Sequence, residues 1–529
     1  MPRLLDLDTY AAVRAGFHWD LLWELVDGDR QRLNIAHECI DRHAARGAGT
    51  AVSVAFDDGR LEHYDFAELA RLTGHFAGWL AGRGVGPGDR VAVVLDPGRA
   101  FYVALFGAMK RGAIAVPLFT LFGPEGLALR IDDCGPRLLL TAGPPGDLRA
   151  RFPGLDVVRV DDAFWAEVEA APSMPAAPTR PSDLAVFQYT SGTTRELPAA
   201  VRHSHRAVVT LMIAALYGVG LRPGDRYLCP SSPAWGHGLW HGTIAPLALG
   251  VHTASYSGRF DAARLWGALE ALRINTFAAA PTVFRLLRQS GRRADFDVRL
   301  EKISFTGEPM DAETARWVVE AFGVPAVSMY GSTEVGVILA SFPGLPGYEP
   351  RPGALGSAAP GWDVSIVDDA GRELPPGEVG EIAVRRKDQW FPVKDRGRRD
   401  ADGYFFHGGR SDDVIISAGW TMSALEIEQT LLAHPAVAEA AVVGVPDALR
   451  GHVPKAFVVP RADQAPRVED LQEWVKTRLS QHEYPRHVAF VDALPRTPAG
   501  KVNRKALRDR ASGEGPLSLP PPPRTGERE

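Results

Sequence analysis

The alternation of strand and helix that decides the fold class is clearest in residues 91–118, which read VAVVLDPGRAFYVALFGAMKRGAIAVPL. Two short apolar runs, residues 91–95 and 113–118, flank an amphipathic stretch at 99–111. Apolar runs of this length bounded by Gly and Pro indicate buried strands, and a helix between two strands favours parallel pairing. The segment therefore predicts a layered α/β domain.

Outward from this segment the alternation continues in both directions. The periodicity predicts helices at 66–83, 204–217, 261–272 and 312–322 and strands at 184–188 and 276–279. After about residue 353 the pattern changes to short runs separated by turns, which indicates antiparallel hairpins. Beyond residue 412 it predicts a smaller α+β unit, with helices at 423–432 and 468–479 and strands at 437–443 and 455–460.

These changes in pattern predict a division of the chain. We expect a large N-terminal domain at residues 1–410, made of layered α/β sheets with a small β-rich subdomain. A small α+β C-terminal domain is expected at 411–511. Residues 512–529 contain a run of four prolines and few apolar groups, which is typical of a disordered tail.

The bulk composition excludes several classes of protein. The chain has 529 residues, 45% hydrophobic and 23% charged, as expected of a globular protein with more than one domain. Its 59 Lys and Arg against 64 Asp and Glu give a net charge of −5. The chain has no excess of basic residues, and a nucleic-acid partner is therefore not expected. Three widely spaced cysteines fit a reducing compartment, and no apolar run reaches the about 18 residues of a membrane span. We expect a cytoplasmic protein with no membrane partner.

The most informative polar motif follows the predicted strand at 184–188 and reads Tyr189-Thr190-Ser191-Gly192-Thr193-Thr194. Hydroxyl groups and a glycine on a strand-to-helix turn present backbone N–H groups and side-chain donors together. That arrangement suits a polyphosphate. Taken alone, the motif is equally typical of a Ser/Thr-rich surface turn.

Two later groups carry residue types that suit a nucleoside and a metal ion. The first is Tyr330-Gly331-Ser332-Thr333-Glu334, preceded by Gly307-Glu308-Pro309. An aromatic ring beside a glycine can lie against a base, a hydroxyl can reach a phosphate, and a carboxylate can hold Mg²⁺. The second is Asp395 with Gly409-Arg410-Ser411-Asp412-Asp413, where a carboxylate can accept from ribose hydroxyls and a guanidinium can reach ribose or phosphate. Each group alone also fits an ordinary turn.

A lysine on a glycine-bearing loop near the C-terminus completes the set. The loop Pro498-Ala499-Gly500-Lys501 can present a point charge to a developing negative oxygen, although a single exposed lysine is usually only solvated. Together and in this order, the four groups resemble the adenylate-forming superfamily of acyl- and aryl-CoA synthetases, peptide-synthetase adenylation domains and luciferases. The chain looks most similar to acetyl-, medium-chain and benzoate-type CoA ligases.

The resemblance implies an activity, a mobile lid and a role for each motif. The implied activity is ATP-dependent activation of a carboxylic acid to an acyl-adenylate, then thioester formation with coenzyme A, releasing AMP and pyrophosphate. The implied C-terminal domain is a mobile lid over an active site between the domains. Matching positions imply that the ATP phosphates contact Thr190, Ser191, Gly192, Thr193 and Thr194, and that adenine contacts Gly307, Glu308, Pro309, Tyr330 and Gly331. They also imply that Thr333 contacts the α-phosphate, Glu334 binds Mg²⁺, Asp395 holds the ribose and Arg410 contacts the nucleotide. Coenzyme A would contact Ser417, Ala418 and Gly419, with Asp412 as the hinge and Lys501 as the catalytic lysine of adenylation.

The acid itself is expected to contact the segment at 231–240, which helps to line the acyl pocket in related ligases. Trp235, Gly236 and His237 suggest an aromatic-walled, partly polar pocket that suits a short, branched or aryl acid better than a long chain. The alternative is that Trp235 and Trp240 are core residues. The sequence does not choose the acid, or between a monomer and a homodimer.

The phosphate loop departs from the family pattern. Related loops usually continue with Gly and then Pro-Lys-Gly or Pro-Lys-Ala, whereas this chain continues with Arg195-Glu196-Leu197-Pro198 and has no lysine there. Either Arg195, Arg202 or Arg206 supplies the missing positive charge, or the chain binds nucleotide without catalysis. Transfer of the acyl group to a carrier protein or an amine, instead of coenzyme A, is a third possibility.

Overall fold

The computed structural model describes residues 3–144, 146–189, 199–307, 310, 312–332, 335–368, 370–410, 415–418, 420–422, 424–461, 464–495, 502 and 504–513. The described strands are β1 (Thr50–Ala55), β2 (Leu61–Asp65), β3 (Arg90–Val94), β4 (Ile114–Pro117), β5 (Leu138–Thr141), β6 (Asp156–Arg159), β7 (Leu184–Tyr189), β8 (Ala200–Ser204), β9 (Arg226–Leu228), β10 (His252–Tyr256), β11 (Thr276–Ala279), β12 (Lys302–Phe305), β13 (Ala326–Ser332), β14 (Gly336–Ala340), β15 (Ala354–Ala358), β16 (Val364–Val367), β17 (Val379–Arg386), β18 (Gln389–Arg399), β19 (Phe405–Arg410), β20 (Ile415–Ser417), β21 (Trp420–Met422), β22 (Val437–Asp447), β23 (Gly451–Pro460) and β24 (His487–Phe490).

The described α-helices are α1 (Tyr10–Gly16), α2 (Arg42–Ala45), α3 (Phe66–Gly82), α4 (Arg99–Lys110), α5 (Pro124–Cys134), α6 (Gly146–Arg151), α7 (Asp162–Ala170), α8 (Ala207–Ile213), α9 (Ala245–Ala248), α10 (Ala262–Ala271), α11 (Pro281–Gln289), α12 (Ala312–Phe322), α13 (Ala424–Leu432), α14 (Val468–Arg478) and α15 (Arg504–Gly513). Short 3₁₀ segments lie at Leu4–Asp6, Trp19–Leu25 and Arg293–Asp295, and π-helical segments at His37–Asp41, Ala214–Val219 and His237–Ile244. None of the described helices has the length and hydropathy that a bilayer crossing requires.

Two large sheets form the body of the protein. A six-stranded sheet has the order β6-β5-β3-β4-β7-β8, and a 13-stranded sheet has the order β16-β17-β18-β19-β15-β14-β13-β12-β11-β9-β10-β1-β2. Strands β6, β5, β3, β4 and β7 pair in parallel, as do β1, β10, β9, β11, β12 and β13. The hairpins expected after residue 353 are the antiparallel strands β16–β19. The predicted layered α/β class is therefore confirmed.

Two elements differ from the sequence prediction. Residues 200–204 form strand β8, which pairs antiparallel with β7, so the helix predicted at 204–217 begins only at Ala207 and continues as the π-helical segment Ala214–Val219. The prediction was wrong there because pairing with β7 is a tertiary interaction that the local apolar pattern does not report. The hydrophobic pattern also did not predict β18, because most of its residues are polar or exposed.

A smaller unit follows the large sheets and is named here the C-terminal unit, comprising the described residues from 415 to 513. Its five-stranded sheet has the order β21-β20-β23-β22, with β24 paired to β23. The apolar faces of α13 and α14 pack on this sheet around Ile427, Leu431 and Leu471. Arg504 of α15 forms an ion pair with Glu428 of α13 and donates to the Val442 carbonyl at 3.1 Å. The chain boundaries predicted at 410 and 511 stay predictions.

Helix α5 of the large body lies against the C-terminal unit. The helix begins at Pro124, whose fixed φ suits a first turn, and ends before Gly135, which has a φ of 50° in the left-handed region. Just before it, the backbone N–H of Gly123 donates to the Leu479 carbonyl at 2.7 Å, and Phe122 forms a β-bridge with Ser480. These contacts hold α5 at the junction between body and C-terminal unit.

Candidate functional site

A cavity of about 1110 Å³ lies where the two large sheets meet the C-terminal unit. Its walls include the carboxyl ends of β7, β12 and β13, together with α8, β18, β19 and β20. Ligands of α/β proteins bind at the carboxyl ends of parallel strands. The volume exceeds the roughly 300–1,000 Å³ of a pocket for one small ligand, so the cavity has room for two reactants.

The cavity wall brings together predicted nucleotide residues from distant parts of the chain. Gly307, Tyr330, Gly331 and Asp395 all line it. The Tyr330 hydroxyl donates to the Asp395 carboxylate (Oη to Oδ2, 2.6 Å), although the two residues are 65 positions apart. Asp395 is buried, and Nε2 of His407 lies 3.7 Å from its second oxygen. The geometry places an oriented carboxylate next to an aromatic ring, an arrangement that suits a nucleoside.

A β-bulge shapes the cavity wall at Tyr330 and Gly331. The register of β13 against β14 shifts between Tyr330 and Gly331. A Cβ atom on Gly331 would overlap the backbone of Gly336, so only glycine allows the two strands to approach this closely. The predicted Tyr-Gly pair therefore has a structural reason that is independent of any ligand.

Several predicted residues lie outside the described part of the chain, and their roles stay predictions. They are Thr190, Ser191, Gly192, Thr193, Thr194, Glu308, Pro309, Thr333, Glu334, Asp412, Gly419 and Lys501. Arg410 is the last residue of β19, where the ladder places it opposite Asp395. Among the described residues, no group of three or more His, Cys, Asp or Glu is arranged to hold a metal ion, but the predicted Mg²⁺ ligand Glu334 is not one of them.

The described arginines near the phosphate loop do not line the cavity. The guanidinium of Arg202 on β8 lies over the ring of Phe187, 5.2 Å from its centroid. Arg206 is exposed just before α8. Neither is among the described residues of the cavity wall. Because Arg195 is outside the described residues, the source of the missing positive charge stays open.

The three predicted acyl-pocket residues also line the cavity, and the part of the wall that they form is named the acyl end here. Trp235, Gly236 and His237 line it together with Gln188 and Trp240. The indole N–H of Trp240 donates to Gln188 Oε1 at 2.6 Å. A Cβ atom on Gly236 would lie 2.5 Å from Gln188 Nε2, so glycine lets the amide approach the helix here. Trp240 is thus both a buried core residue and part of the cavity wall.

Three histidines line the same end, and sequence reasoning found only one of them. His237 and His241 lie on the π-helical segment His237–Ile244 with ring centroids 6.0 Å apart, and His203 of β8 packs on Trp240 at 4.6 Å. Burial lowers the pKa of His203 and His237 to about 4, and burial with the neighbouring His237 lowers that of His241 to about 3. All three rings are therefore neutral at pH 7. The spacing of His241 four residues after His237 is the only sequence signal for it.

Trp420 of the C-terminal unit contacts Trp235, a residue of the cavity wall, without lining the cavity itself. Its ring stacks on Trp235 of the body at 5.2 Å with an interplanar angle of 12°, and on His482 at 4.4 Å and 19°. Phe119 contacts the same ring at 4.7 Å. The neighbouring residue Ser417 is buried, Ile416 lines the cavity, and Ala418 has a left-handed φ of 53°. The described residues of the predicted coenzyme A loop, Ser417 and Ala418, therefore lie beside the cavity.

A buried charge cluster joins the body to the C-terminal unit, and the sequence did not predict it. Arg130 of α5 is 1% exposed, and its Nη2 lies 3.5 Å from Oε1 of Glu426. Its Nη1 donates to the Gly126 carbonyl at 2.7 Å. Glu483 is buried nearby. Burial raises the pKa of both carboxyls, the Glu483 charge adds to the rise at Glu426, and the Arg130 charge opposes it. The Arg130 charge thus acts on two buried carboxyl groups, of which Glu426 is the one within ion-pair distance.

Comparison with known families gives two matches that together span most of the chain. The family model described as "AMP-binding enzyme" matches residues 40–390, and the model described as "AMP-binding enzyme C-terminal domain" matches residues 426–501. The acetyl-coenzyme A synthetase of Bacillus subtilis is 30% identical over 526 residues, which cover 90% of this chain and 90% of that protein.

Two solved structures show the same fold. The acyl-CoA synthetase of Brucella canis superposes with a TM-score of 0.71 at 32% identity, covering 96% of this chain and 99% of that chain. The amide bond synthetase McbA of Marinactinospora thermotolerans superposes with a TM-score of 0.77 at 26% identity, covering 90% of this chain and 99% of that chain. The likeness extends over both the large body and the C-terminal unit.

Proposed function

The chain belongs to the AMP-binding enzyme family and is an AMP-forming acid–thiol ligase, and we propose here how its cavity carries out the two half-reactions. The family confirms the resemblance drawn from the four motifs. The ligase activates a carboxylic acid with ATP as an acyl-adenylate and then forms a thioester with coenzyme A. The observation that supports the proposal best is that one cavity is lined by both the Tyr330–Asp395 pair and the Trp235–His237 segment.

In the proposed site, Asp395 accepts hydrogen bonds from the ribose hydroxyls. The Tyr330 hydroxyl already donates to one oxygen of this carboxylate, which fixes its orientation before the nucleotide binds. Mg²⁺, held by Glu334, is part of the proposal because a carboxylate is a ligand that this ion prefers and because the ion supplies charge neutralisation at the polyphosphate.

The first half-reaction joins two anions. A carboxylate oxygen attacks the α-phosphorus in line, and pyrophosphate leaves. The protein needs no nucleophile of its own, so its task is to align the reactants and to place positive charge and hydrogen-bond donors where negative charge develops. We assign these tasks to Thr190–Thr194 and Lys501, with the carboxylate held at the acyl end of the cavity.

The second half-reaction requires the thiol of coenzyme A to reach the adenylate. We propose that the arrangement described here, with Ser417 and Ala418 beside the cavity and Trp420 stacked on Trp235, is the one that forms the thioester. Lys501 then acts in a second arrangement, reached by rotation of the C-terminal unit about Asp412. Motions of this kind commonly separate the steps of an enzyme.

The function is tested by incubating the protein with ATP, Mg²⁺ and single acids, with and without coenzyme A. Acid-dependent ATP–pyrophosphate exchange reports adenylation, and AMP with thioester reports the whole reaction. We expect at least one acid to give both ATP–pyrophosphate exchange and the formation of AMP with thioester. Exchange without thioester would instead support transfer to a carrier protein or an amine, and no exchange with any acid would leave a nucleotide-binding protein without catalysis.

The buried charge cluster predicts a pH dependence of the thioester step. In the thioester arrangement, burial raises the pKa of Glu426 and Glu483, whereas in a rotated, exposed state they titrate near the ordinary value of 4.5. The thioester arrangement therefore binds more protons. Its stability is fully present below about pH 4.5 and is lost as the pH rises through the raised pKa values.

The measurement compares the wild type with Glu483→Gln, which removes one titrating carboxyl from the cluster. We expect the ratio of thioester formation to adenylation to fall more steeply between pH 6 and 9 in the wild type than in Glu483→Gln. Glu469→Gln, at an exposed position of α14, is the matched control and should follow the wild type. Equal slopes for wild type and Glu483→Gln would contradict the expected role of the cluster.

A further inference from the structure

The buried side chain of Arg285 makes a polar contact between the body and the C-terminal unit. Arg285 lies on α11, which begins at Pro281, directly after the carboxyl end of β11. The residue is only 5% exposed. Its Nη1 donates to the hydroxyl of Thr282 on the same helix at 3.1 Å, and it also donates to the backbone carbonyl of Leu449 in the C-terminal unit. A guanidinium of the body thus binds the backbone of the smaller unit.

Leu449 belongs to the tight turn that joins β22 to β23. Asp447 pairs with Gly451 at the base of this turn. The Oδ1 atom of Asp447 accepts from the backbone N–H groups of Leu449 and Arg450, at 2.9 Å and 2.7 Å. An Asp side chain that accepts from the backbone two and three residues later fixes the shape of a turn. Arg285 therefore binds a turn whose shape is already defined, so the contact fixes the position of the turn relative to the body.

The same turn supports the described residues of the predicted coenzyme A loop. The backbone N–H of Ala418 donates to the carbonyl of Arg450 at 2.8 Å, and Ser417 pairs with Gly451. Ala418 has a φ of 53°, in the left-handed region that a residue with a Cβ atom adopts only at a cost in energy. A conformation of this kind persists only where neighbouring contacts hold it. A path of contacts thus runs from the body, through the backbone of the turn, to the loop beside the cavity.

The contact depends on the arrangement of the two parts of the protein. Rotation of the C-terminal unit about Asp412 would separate the Arg285 guanidinium from the Leu449 carbonyl. Hydrogen bonds from a charged donor are stronger than those between neutral groups. A contact that is made in one arrangement and lost in the other stabilises the first relative to the second. The Arg285 contact therefore favours the arrangement to which we assign thioester formation.

On the premise of the proposed function, we infer that Arg285 is a positioning residue for the thioester half-reaction. It holds the turn at 447–451 against the body, and the turn in turn keeps Ser417 and Ala418 beside the cavity, where the thiol of coenzyme A reaches the adenylate. Adenylation takes place in the other arrangement and does not depend on this contact. The role differs from that of Arg130, whose guanidinium lies near a carboxyl group of α13 and not against the turn that supports the loop.

The test measures each half-reaction in Arg285→Met. ATP–pyrophosphate exchange reports adenylation, and the conversion of purified acyl-adenylate with saturating coenzyme A reports thioester formation. We expect the thioester rate to fall about 10- to 100-fold, the typical effect of losing one hydrogen bond to a charged group, while exchange changes little. Arg285→Lys keeps one charged donor and should retain part of the thioester rate. If the methionine variant does not fold, Arg285→Lys takes its place, with a smaller but equally selective loss expected.

A double-mutant comparison separates a positioning role from general support of the fold. Asp447→Ala removes the side chain that fixes the turn. Because Arg285 and Asp447 hold the same element, replacing Arg285 should cost less thioester rate in the Asp447→Ala background than in the wild type. Arg288→Met is the matched control and should change neither half-reaction, because Arg288 lies three residues later on α11 and pairs with Glu313 of the body at 3.0 Å.

The outcomes distinguish this inference from the proposed function. Three results would overturn the inference and leave the proposed function standing: an equal loss of both half-reactions in the Arg285 variants, an unchanged thioester rate, or a loss of the same size with and without the Asp447 side chain. A wild-type protein that forms no thioester from acyl-adenylate and coenzyme A would contradict the proposed function itself, and the inference with it.

Discussion

Replacing Lys501 with alanine is expected to lower the rate of adenylation on the order of 10²–10³, while thioester formation from preformed acyl-adenylate is largely spared. The reason is electrostatic. The attack of a carboxylate on the α-phosphate concentrates negative charge, and a lysine ammonium placed in advance neutralises it without reorganisation of solvent. Thioester formation from the adenylate takes place in the other arrangement of the C-terminal unit, where we propose that this lysine has no role.

The two half-reactions are measured separately, by ATP–pyrophosphate exchange and by the conversion of purified acyl-adenylate with coenzyme A. Lys476→Ala, on an exposed part of α14, is the matched control and should change neither rate appreciably. A variant of Lys501 that loses both half-reactions equally would show that the lysine supports the fold or the general binding of nucleotide, and the assigned role would be wrong.

Replacing Arg130 with methionine is expected to slow thioester formation more than adenylation, the opposite of the expected effect of Lys501→Ala. Methionine keeps a long side chain over Phe122 but removes the positive charge near the buried carboxyls of Glu426 and Glu483. Burial keeps Glu426 protonated up to a pKa of about 8, so a buried carboxylate that has lost the guanidinium, at a cost of about 3–5 kcal/mol, is present only at higher pH. Because this cost falls on the arrangement that we assign to thioester formation, we expect that step to slow on the order of 10²–10³ at pH 9, with a much smaller effect on adenylation.

A second substitution keeps this prediction falsifiable. Glu483→Gln in the Arg130→Met background removes one of the two carboxyls and should restore part of the lost thioester rate. Arg137→Met, at a half-exposed arginine just after α5, is the control for the loss of an arginine in this region. If Arg130→Met slowed adenylation as much as thioester formation, or lowered the melting temperature of the whole body, Arg130 would be a residue of the fold and not of the contact with the C-terminal unit.

The local sequence pattern predicted much of the fold. The apolar runs at 91–95 and 276–279 are found as β3 and β11 within one residue of the expected ends, because strands buried on both faces need an unbroken apolar sequence. Strand β18 shows the limit of this reasoning. Its polar residues form a strand because they pair with β17 and β19, and such pairing leaves no mark in the local periodicity.

The candidate site could likewise be predicted from the sequence only in part. The types of residue that suit a nucleotide, a carboxylic acid and coenzyme A are visible in short motifs, because each chemical task requires particular groups close together in the chain. Which of these motifs face each other is not visible. His203 reaches the acyl end only because β8 pairs with β7, and Arg130 in the middle of α5 has no motif around it at all.

The sequence alone therefore determined the α/β class, the order of the motifs and the family, since periodicity and short motifs are local properties of a chain. Only the tertiary structure decided that Tyr330 orients Asp395, that His203 and His241 line the cavity with the predicted His237, and that Arg130 lies between the body and the C-terminal unit near two buried carboxyls. Those contacts depend on how sheets and helices pack across long chain separations, and packing is a property of the whole fold.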